Sequence, residues 1–161
     1  MPSTLALLPA YASIDDPVAD LRAAVRGAVA WLIEDGPAGV LAATPSAQRI
    51  GAHLLGDRFD PAADQPLLVV ANGSATRTEK APGFLDGRAA GFDAAVGTAL
   101  SAGDPSALAG LDLGLAEQLW CPDAPTLVEL GHRTDTFEAT VDYDDDPFGV
   151  QYWVVRWQCA R

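Results

Sequence analysis

The feature of this sequence that most constrains the fold is an unbroken apolar run at residues 67–71, which reads LLVVA. A strand with one solvated face alternates apolar and polar residues, and this run does not alternate. Its leucines and β-branched valines are typical of a strand that is buried on both sides. The run therefore predicts a sheet that is covered by helices on both faces.

Two amphipathic helices are predicted, one before and one after this strand. The first begins at Asp16, which can cap free amide groups, and has Pro17 in its first turn. The second covers residues 85–100 and has Asp86 near its start. In both, apolar residues recur at helical spacing and form one face: Val18, Leu21, Val25, Val29 and Leu32 in the first, and Leu85, Ala89, Phe92, Val96 and Leu100 in the second.

The remaining pattern completes an α/β order that ends in a hairpin. Apolar and polar residues alternate over 137–143, and the turn at 144–149 leads to a return strand at 150–157. The other predicted elements are strands at 4–11 and 39–43 and helices after Thr44, over 104–120 with a break near Gly110 or Gly114, and over 125–131. We therefore expect one α/β domain over residues 1–161, with a mixed central sheet flanked by helices and a C-terminal antiparallel hairpin.

The charge of the chain argues against several classes of protein. Asp and Glu number 22 against 10 Lys and Arg, which gives a net charge of −12. Such a chain repels nucleic-acid phosphates, and its one lysine, Lys80, gives no polybasic segment for a membrane surface. We expect a cytoplasmic protein in which Cys121 and Cys159 are two buried thiols, although one disulfide between them is the alternative.

The most informative segment for function follows the 67–71 strand. Ligand sites in open α/β sheets gather at the carboxyl ends of strands, and the segment there is a turn of small, hydroxyl-rich residues with two cations. An anion could be held by its exposed amides and cations. The candidate ligand-binding residues are Asn72, Ser74, Thr76, Arg77 and Lys80. The structural alternative is a polar loop in which Thr76 and Glu79 form a capping box.

Other residues that suggest chemistry give weaker patterns. Ser74 lacks the glycines two positions before and after it that a nucleophile elbow needs. His53 and His132 have no partner at metal-ligand spacing, so both are expected to be ordinary helix residues. The acidic cluster of Asp142, Asp144, Asp145 and Asp146 is interpreted as a solvated hairpin tip, with a calcium site as the alternative. No catalytic or metal-binding residue is assigned.

Two segments resemble a known group of proteins. The segment at 67–96 contains TRTEKAPG followed by LDGRAAGFD, and the segment at 143–152 reads YDDDPFGVQY. Both are similar to segments of actinobacterial proteins of the LigB-like family of class III extradiol ring-cleavage dioxygenases, over roughly residues 65–160. The resemblance implies the LigB-like extradiol dioxygenase fold. It also implies an ancestral Fe(II) site of two histidines and a carboxylate, where catechol and dioxygen bind together.

This chain departs from that group near its start. Ala10 stands where the first-strand histidine, an iron ligand of the ring-cleaving enzymes, is expected, and Asn72 replaces the usual aspartate. The segment at 38–64 is also shorter than in the group. The resemblance therefore implies a degenerate member without a metal, which binds a small anionic ligand or a protein partner through the 72–80 loop. The alternative is an Fe(II)-dependent ring-cleavage dioxygenase-like enzyme or oxygenase subunit, and self-association into a homo-oligomer is left open.

Overall fold

A computed structural model describes residues 1–9 and 16–160, in which helices and short strands alternate before a C-terminal hairpin. Short 3-10 turns lie at Leu5–Leu7, Gly56–Arg58 and Pro147–Gly149. In chain order the helices and strands are α1 (Ala19–Leu32), β1 (Gly39–Leu41), α2 (Pro45–Leu55), β2 (Leu67–Val69), α3 (Ala89–Ala102), α4 (Ser106–Ala109), α5 (Leu113–Gln118), α6 (Ala124–Gly131), β3 (Phe137–Asp145) and β4 (Tyr152–Cys159).

The strands form two small sheets. β1 and β2 are parallel, and β3 and β4 are antiparallel with a register shift between Val141 and Tyr143. The mixed α/β class and the C-terminal hairpin are thereby confirmed, but the described strands pair as two separate two-stranded sheets instead of one central sheet. Two hydrogen bonds join the segment after β2 to the residue before β4: the amide of Gly73 donates to the Gln151 carbonyl (2.9 Å), and the amide of Gln151 donates to the Ser74 carbonyl (3.0 Å).

The prediction of a strand at residues 4–11 was wrong for the part that the structure describes. Leu5–Leu7 form a 3-10 turn, and the Thr4 hydroxyl accepts a hydrogen bond from the amide of Ala6. The guanidinium of Arg22 donates to the carbonyl of Ala6 at 2.7 Å, so α1 satisfies an acceptor that a strand would have offered to a sheet. Residues 10 and 11, the end of the predicted strand, lie outside the described residues.

Strand-like pairing occurs instead at the residues just before this turn. The amino group of Met1 donates to the Val69 carbonyl (2.9 Å), and the amide of Ala71 donates to the Met1 carbonyl (2.8 Å). The segment that begins at Met1 therefore lies along the free edge of β2. The strand that the sequence predicts at residues 4–11 therefore begins a few residues after the segment that pairs with β2.

The two long helices were predicted with the right faces but early starts. In α1 the predicted apolar face is confirmed, since Leu21, Val25 and Val29 are buried. Asp16 does not cap the helix itself: its carboxylate accepts from the amide of Val18, before the first helical residue. α3 starts at Ala89 rather than at residue 85, because Asp86 binds the amide and side chain of Arg88 in a local turn.

The buried apolar residues form two clusters, which we call the α1–α2 cluster and the α3–α6 cluster. Leu21, Ile50, Leu68 and Val70 are at the centre of the first, and Val96, Leu108 and Leu119 are fully buried in the second. β4 contributes to both, because successive side chains of a strand point to opposite faces. Tyr152 and Val154 pack in the α1–α2 cluster, and Trp153 packs in the α3–α6 cluster.

The expectation of two buried thiols is confirmed for one cysteine. Both cysteines are free, Cys121 is buried and Cys159 is exposed near the end of β4. Burial decreases along β4, from the buried Tyr152 to the exposed Cys159, so the expectation of a second buried thiol was wrong. Over residues 1–9 and 16–160, no helix has both the length and the apolar content that crossing a membrane requires.

Candidate functional site

The loop that follows β2 is irregular but closely held. Residues 72–88 contain no helix or strand, so Thr76 and Glu79 do not form the capping box of the structural alternative. The amide of Ala75 donates to the Leu119 carbonyl (3.0 Å), and the amide of Arg77 donates to the Gly149 carbonyl (3.1 Å). The loop is thereby fixed between the end of α5 on one side and the hairpin turn on the other.

Ser74 and Asp93 form a buried pair at the base of this loop. The amide of Ser74 donates to Asp93 Oδ1 (2.9 Å), and its hydroxyl donates to Asp93 Oδ2 (2.6 Å). Burial raises the pKa of Asp93, and the hydrogen bonds from Ser74 oppose that rise. The pair requires glycine at position 73, since a Cβ there would lie 2.7 Å from Asp93 Oδ1 and 2.6 Å from the Trp153 ring. The backbone of the loop thus approaches α3 closely.

Arg77 extends this network towards the surface. Its Nε donates to Asp146 Oδ2 at 2.7 Å and lies 3.8 Å from Asp93 Oδ2. Its two Nη groups make no hydrogen bond to any of the described residues. A guanidinium held through Nε alone keeps the two parallel donors with which arginine binds a carboxylate or phosphate.

Arg77 and Asp93 line a cleft of about 360 Å³ between α3 and the hairpin. The hairpin side carries Asp144, Gln151 and Trp153, and Gln151 Nε2 donates to Asp144 Oδ1 at 2.8 Å. The α3 side carries small residues: Ala94, Gly97, Thr98 and Ser101. The cleft therefore combines one cation, two carboxylates and an aromatic ring, which suits a small polar ligand.

Asn72 belongs to a different network. Its side-chain Oδ1 accepts from the backbone amide of Ser3 (2.7 Å), and its backbone amide donates to Asp123 Oδ2 (3.3 Å). Asp123 also accepts from the hydroxyls of Ser3 and Thr44. This buried carboxylate joins the N-terminal segment, the start of α2, the end of β2 and the start of α6.

Sequence reasoning missed Asp123 because no local pattern marks it. Its three partners lie 51, 79 and 120 residues away along the chain. The one local signal was an aspartate before a proline-containing turn, which also describes an ordinary helix start. Its role depends on tertiary contacts.

The two remaining candidate residues of the loop, Thr76 and Lys80, do not line the cleft. Thr76 is buried, and its hydroxyl has no hydrogen-bond partner among the described residues. Lys80 is exposed and does not line the cleft. Of the five candidates, only Arg77 lines the cleft, and Ser74 is buried beneath it against Asp93. Asn72, Thr76 and Lys80 lie outside the cleft. Anion binding at the loop stays a prediction.

The acidic residues of the hairpin are exposed for the most part, but three of them have partners. Arg156 binds Asp142 at 2.7 Å, Gln151 binds Asp144, and Arg77 binds Asp146. β3 continues to Asp145, so these carboxylates lie along a strand and at its end rather than on a free tip. The prediction of solvated carboxylates is therefore confirmed for Asp142, Asp144 and Asp145, and their predicted place on a free tip is corrected to the end of β3.

The side chains with nucleophilic or basic groups are placed apart. The Ser74 hydroxyl is fully buried, and burial raises the pKa of the Cys121 thiol to about 12. Cys121 Sγ donates to the Asn72 carbonyl at 3.3 Å. His53 is exposed on α2, and His132 is exposed at the end of α6. Neither Ser74 nor Cys121 therefore hydrogen-bonds to a histidine base.

The described residues do not fit the Fe(II) site that the resemblance implies. Extradiol chemistry requires two histidines and a carboxylate on one ion. Over residues 1–9 and 16–160, no three His, Cys, Asp or Glu side chains converge so as to hold a metal ion. Ala10, at the position of the expected histidine, lies outside that part of the chain. We assign no step to iron.

Comparison with known proteins identifies no relative. No protein-family model, curated protein or solved structure matches this chain significantly. The resemblance to the LigB-like extradiol dioxygenases thus stays a prediction from the sequence.

Proposed function

We propose that this protein is a non-catalytic binding protein of the LigB-like extradiol dioxygenase group, and that it binds a small acidic molecule in the cleft between α3 and the hairpin. The observation that carries the proposal is Arg77. It lines the cleft, is held in place through Nε, and keeps two Nη donors without a partner among the described residues. Ser74 supports this arrangement by holding Asp93 beside Arg77.

The charges of the cleft narrow the class of ligand. Arg77 can bind one carboxylate or phosphate group through its Nη edge. Asp93 and Asp144 also line the cleft, so a molecule with several negative charges would be repelled. The ligand that fits carries one acidic group together with a hydrogen-bond donor or an amino group. An amino-acid-like zwitterion has this pattern.

The absence of a catalytic role is proposed from what the polar groups already do. Ser74 is bound to Asp93, and the Cys121 thiol, with a pKa of about 12, stays protonated at neutral pH. The Asp123 carboxylate accepts hydrogen bonds from Ser3, Thr44 and Asn72. These groups hold the strand ends together, so they are not available to a substrate. We place the protein in the cytoplasm, where the exposed Cys159 thiol stays reduced.

Calorimetric titration with small monocarboxylates, amino acids and monophosphates tests the proposal. We expect one class to bind the wild type, and Arg77→Met to abolish that binding. Ala94→Tyr provides a second test without removing an ion pair, because Ala94 is exposed on α3 and a tyrosine there fills the cleft. Arg49→Met is the matched control, since Arg49 is an exposed arginine on α2 that does not line the cleft.

Two results would contradict the proposal. One is binding that survives both Arg77→Met and Ala94→Tyr, which would place the ligand elsewhere. The other is stoichiometric Fe(II) binding with oxygen-dependent cleavage of a catechol, which would establish the enzyme alternative. If no compound of these three classes binds, the proposed ligand chemistry is wrong.

A further inference from the structure

A second cavity, which we call the apolar crevice, lies between β2 and β4. These strands belong to separate sheets, and residues of α1, α3 and α6 complete its walls. Its volume is about 110 Å³. Six of the side chains that line it are apolar and only half-buried: Trp31, Leu32, Leu67, Val69, Val155 and Trp157. Apolar surface that is left open inside a cavity favours the binding of an apolar molecule.

The walls of the crevice are aromatic and already fixed in place. Three of the four tryptophans, Trp31, Trp153 and Trp157, line it. The indole N–H of Trp157 donates to the Leu100 carbonyl at 2.7 Å, and its ring stacks on Phe137 with 4.9 Å between the ring centroids. Trp153 is buried. Rings that are held before a ligand arrives lose little freedom on binding, and they suit a second aromatic ring.

The charges at the crevice are balanced without a ligand. Arg156 is the charged side chain that lines it. Its Nε donates to Asp142 Oδ2 (2.7 Å), its Nη2 donates to Asp142 Oδ1 (2.9 Å), and its guanidinium lies 5.6 Å from the centre of the Trp31 ring. Burial lowers the pKa of the Met1 amino group to about 5, so that group is neutral at pH 7. A charged ligand would therefore lose hydration without gaining a free counter-charge.

The size of the crevice limits the ligand to about one ring. An apolar cavity of about 150 Å³ inside a protein stays dry and binds benzene. The crevice, at about 110 Å³, is of similar size and has similar walls. Long acyl chains and fused ring systems exceed this space.

We propose that the apolar crevice binds a small neutral aromatic molecule of a single ring. The ring would lie between β2 and β4, against the tryptophans of α1 and β4. The inference does not rest on the proposed function, because Arg77 does not line the crevice. Trp153 is the residue common to the crevice and the acidic-ligand cleft, so it is left unchanged in the variants below.

Calorimetric titration with four one-ring compounds tests the ligand class. Toluene and phenol are neutral, whereas benzoate and benzylamine are of similar size and carry one charge each. We expect toluene and phenol to bind with one molecule per chain. Benzoate and benzylamine should bind at least about tenfold more weakly, because their charges find no partner.

Two substitutions fill the crevice and test its location. Val155 and Leu32 are half-buried and line the crevice, so Val155→Phe and Leu32→Trp should each raise the dissociation constants of toluene and phenol about tenfold or more. Val128→Phe is the matched control, since Val128 is a half-buried valine of α6 that does not line the crevice. Circular dichroism checks that each variant is folded.

Four results would overturn the inference. The first is that neither toluene nor phenol binds the wild type, and the second is that the charged compounds bind as tightly as the neutral ones. The third is binding that survives both filling substitutions or is weakened equally by Val128→Phe. The fourth is loss of toluene binding in Arg77→Met, which would place the ring in the acidic-ligand cleft instead.

Discussion

At the scale of single residues, the polar groups near the strand ends bind one another. Asp93 receives two hydrogen bonds from Ser74 and lies near the charge of Arg77, and Asp123 receives hydrogen bonds from three other residues. A buried carboxylate without such partners would be strongly destabilising. These contacts make Ser74, Asp93 and Asp123 structural, and they leave the two Nη groups of Arg77 without a partner among the described residues.

Asp93 gives the first prediction, because its raised pKa couples stability to pH. A carboxyl group whose folded pKa lies above its unfolded value stabilises the fold fully below the unfolded value, and that stabilisation is lost as the pH rises through the folded pKa. Asp93→Asn stays neutral and lacks this dependence. We therefore expect the variant to gain stability relative to the wild type as the pH rises from about 4.

Urea unfolding at a series of pH values measures this difference. Asp104→Asn is the opposite control, since hydrogen bonds from Ser106 lower the pKa of the exposed Asp104. That variant should lose stability relative to the wild type as the pH rises. Parallel pH profiles for Asp93→Asn and the wild type would show that the Asp93 carboxyl does not titrate differently in the folded state.

The cysteines give the second prediction. Cys121 is buried with a pKa of about 12, and Cys159 is exposed. An aromatic disulfide reagent should therefore label one thiol per folded chain rapidly and both thiols in denaturant. Cys159→Ser should remove the rapid phase, and Cys121→Ser should leave it unchanged. Rapid labelling of two thiols in the folded wild type would show that Cys121 is accessible.

At the scale of helices and strands, the sequence predicted those elements whose pattern is local. The apolar run at 67–71 and the helical spacing of Leu21, Val25 and Val29 each follow from residues close together in the chain. The turn at Leu5–Leu7 could not be predicted in the same way, because Arg22 from α1 binds a carbonyl there. Helix starts were also displaced, since aspartate side chains stabilise turns as readily as helix caps.

The candidate site was predictable only in its position along the chain. Ligand sites gather at the carboxyl ends of parallel strands, and of the five candidate residues after β2 only Arg77 lines the cleft, with Ser74 buried behind it against Asp93. The diversion of Asn72 to Ser3 and Asp123 depends on partners that are distant in sequence. The left-handed backbones of Phe84, Trp120 and Phe148 have no signal in the sequence, because glycine or asparagine usually marks that conformation.

Two glycines give a matched prediction on helix packing. Gly131 ends α6 against α4, and a Cβ there would overlap backbone atoms of Ala109. Gly131→Ala should therefore lower the free energy of unfolding by about 1–3 kcal/mol. Gly27 is exposed in α1 with open space around it, so Gly27→Ala should raise that free energy by about 0.5–1 kcal/mol through helix propensity. Urea titration measures both, and equal effects of the two substitutions would contradict close packing of α4 on α6.

At the scale of the whole molecule, the two apolar clusters share one strand. β4 places Val154 in the α1–α2 cluster and Trp153 in the α3–α6 cluster. Asp123, at the start of α6, adds hydrogen bonds to Thr44 at the start of α2 and to Ser3. Neither cluster can open without loss of contacts in the other, so the described chain should unfold as one cooperative unit.

Two leucine substitutions test this cooperativity. Leu21 is fully buried in the α1–α2 cluster, and Leu119 is fully buried in the α3–α6 cluster. Leu21→Ala and Leu119→Ala should each lower the free energy of unfolding by about 2–5 kcal/mol and shift the same single transition. Urea unfolding followed by both tryptophan fluorescence and far-ultraviolet circular dichroism should give coincident curves for each protein. If each substitution moved only one of two separate transitions, the clusters would be independent units, and β4 would not couple them.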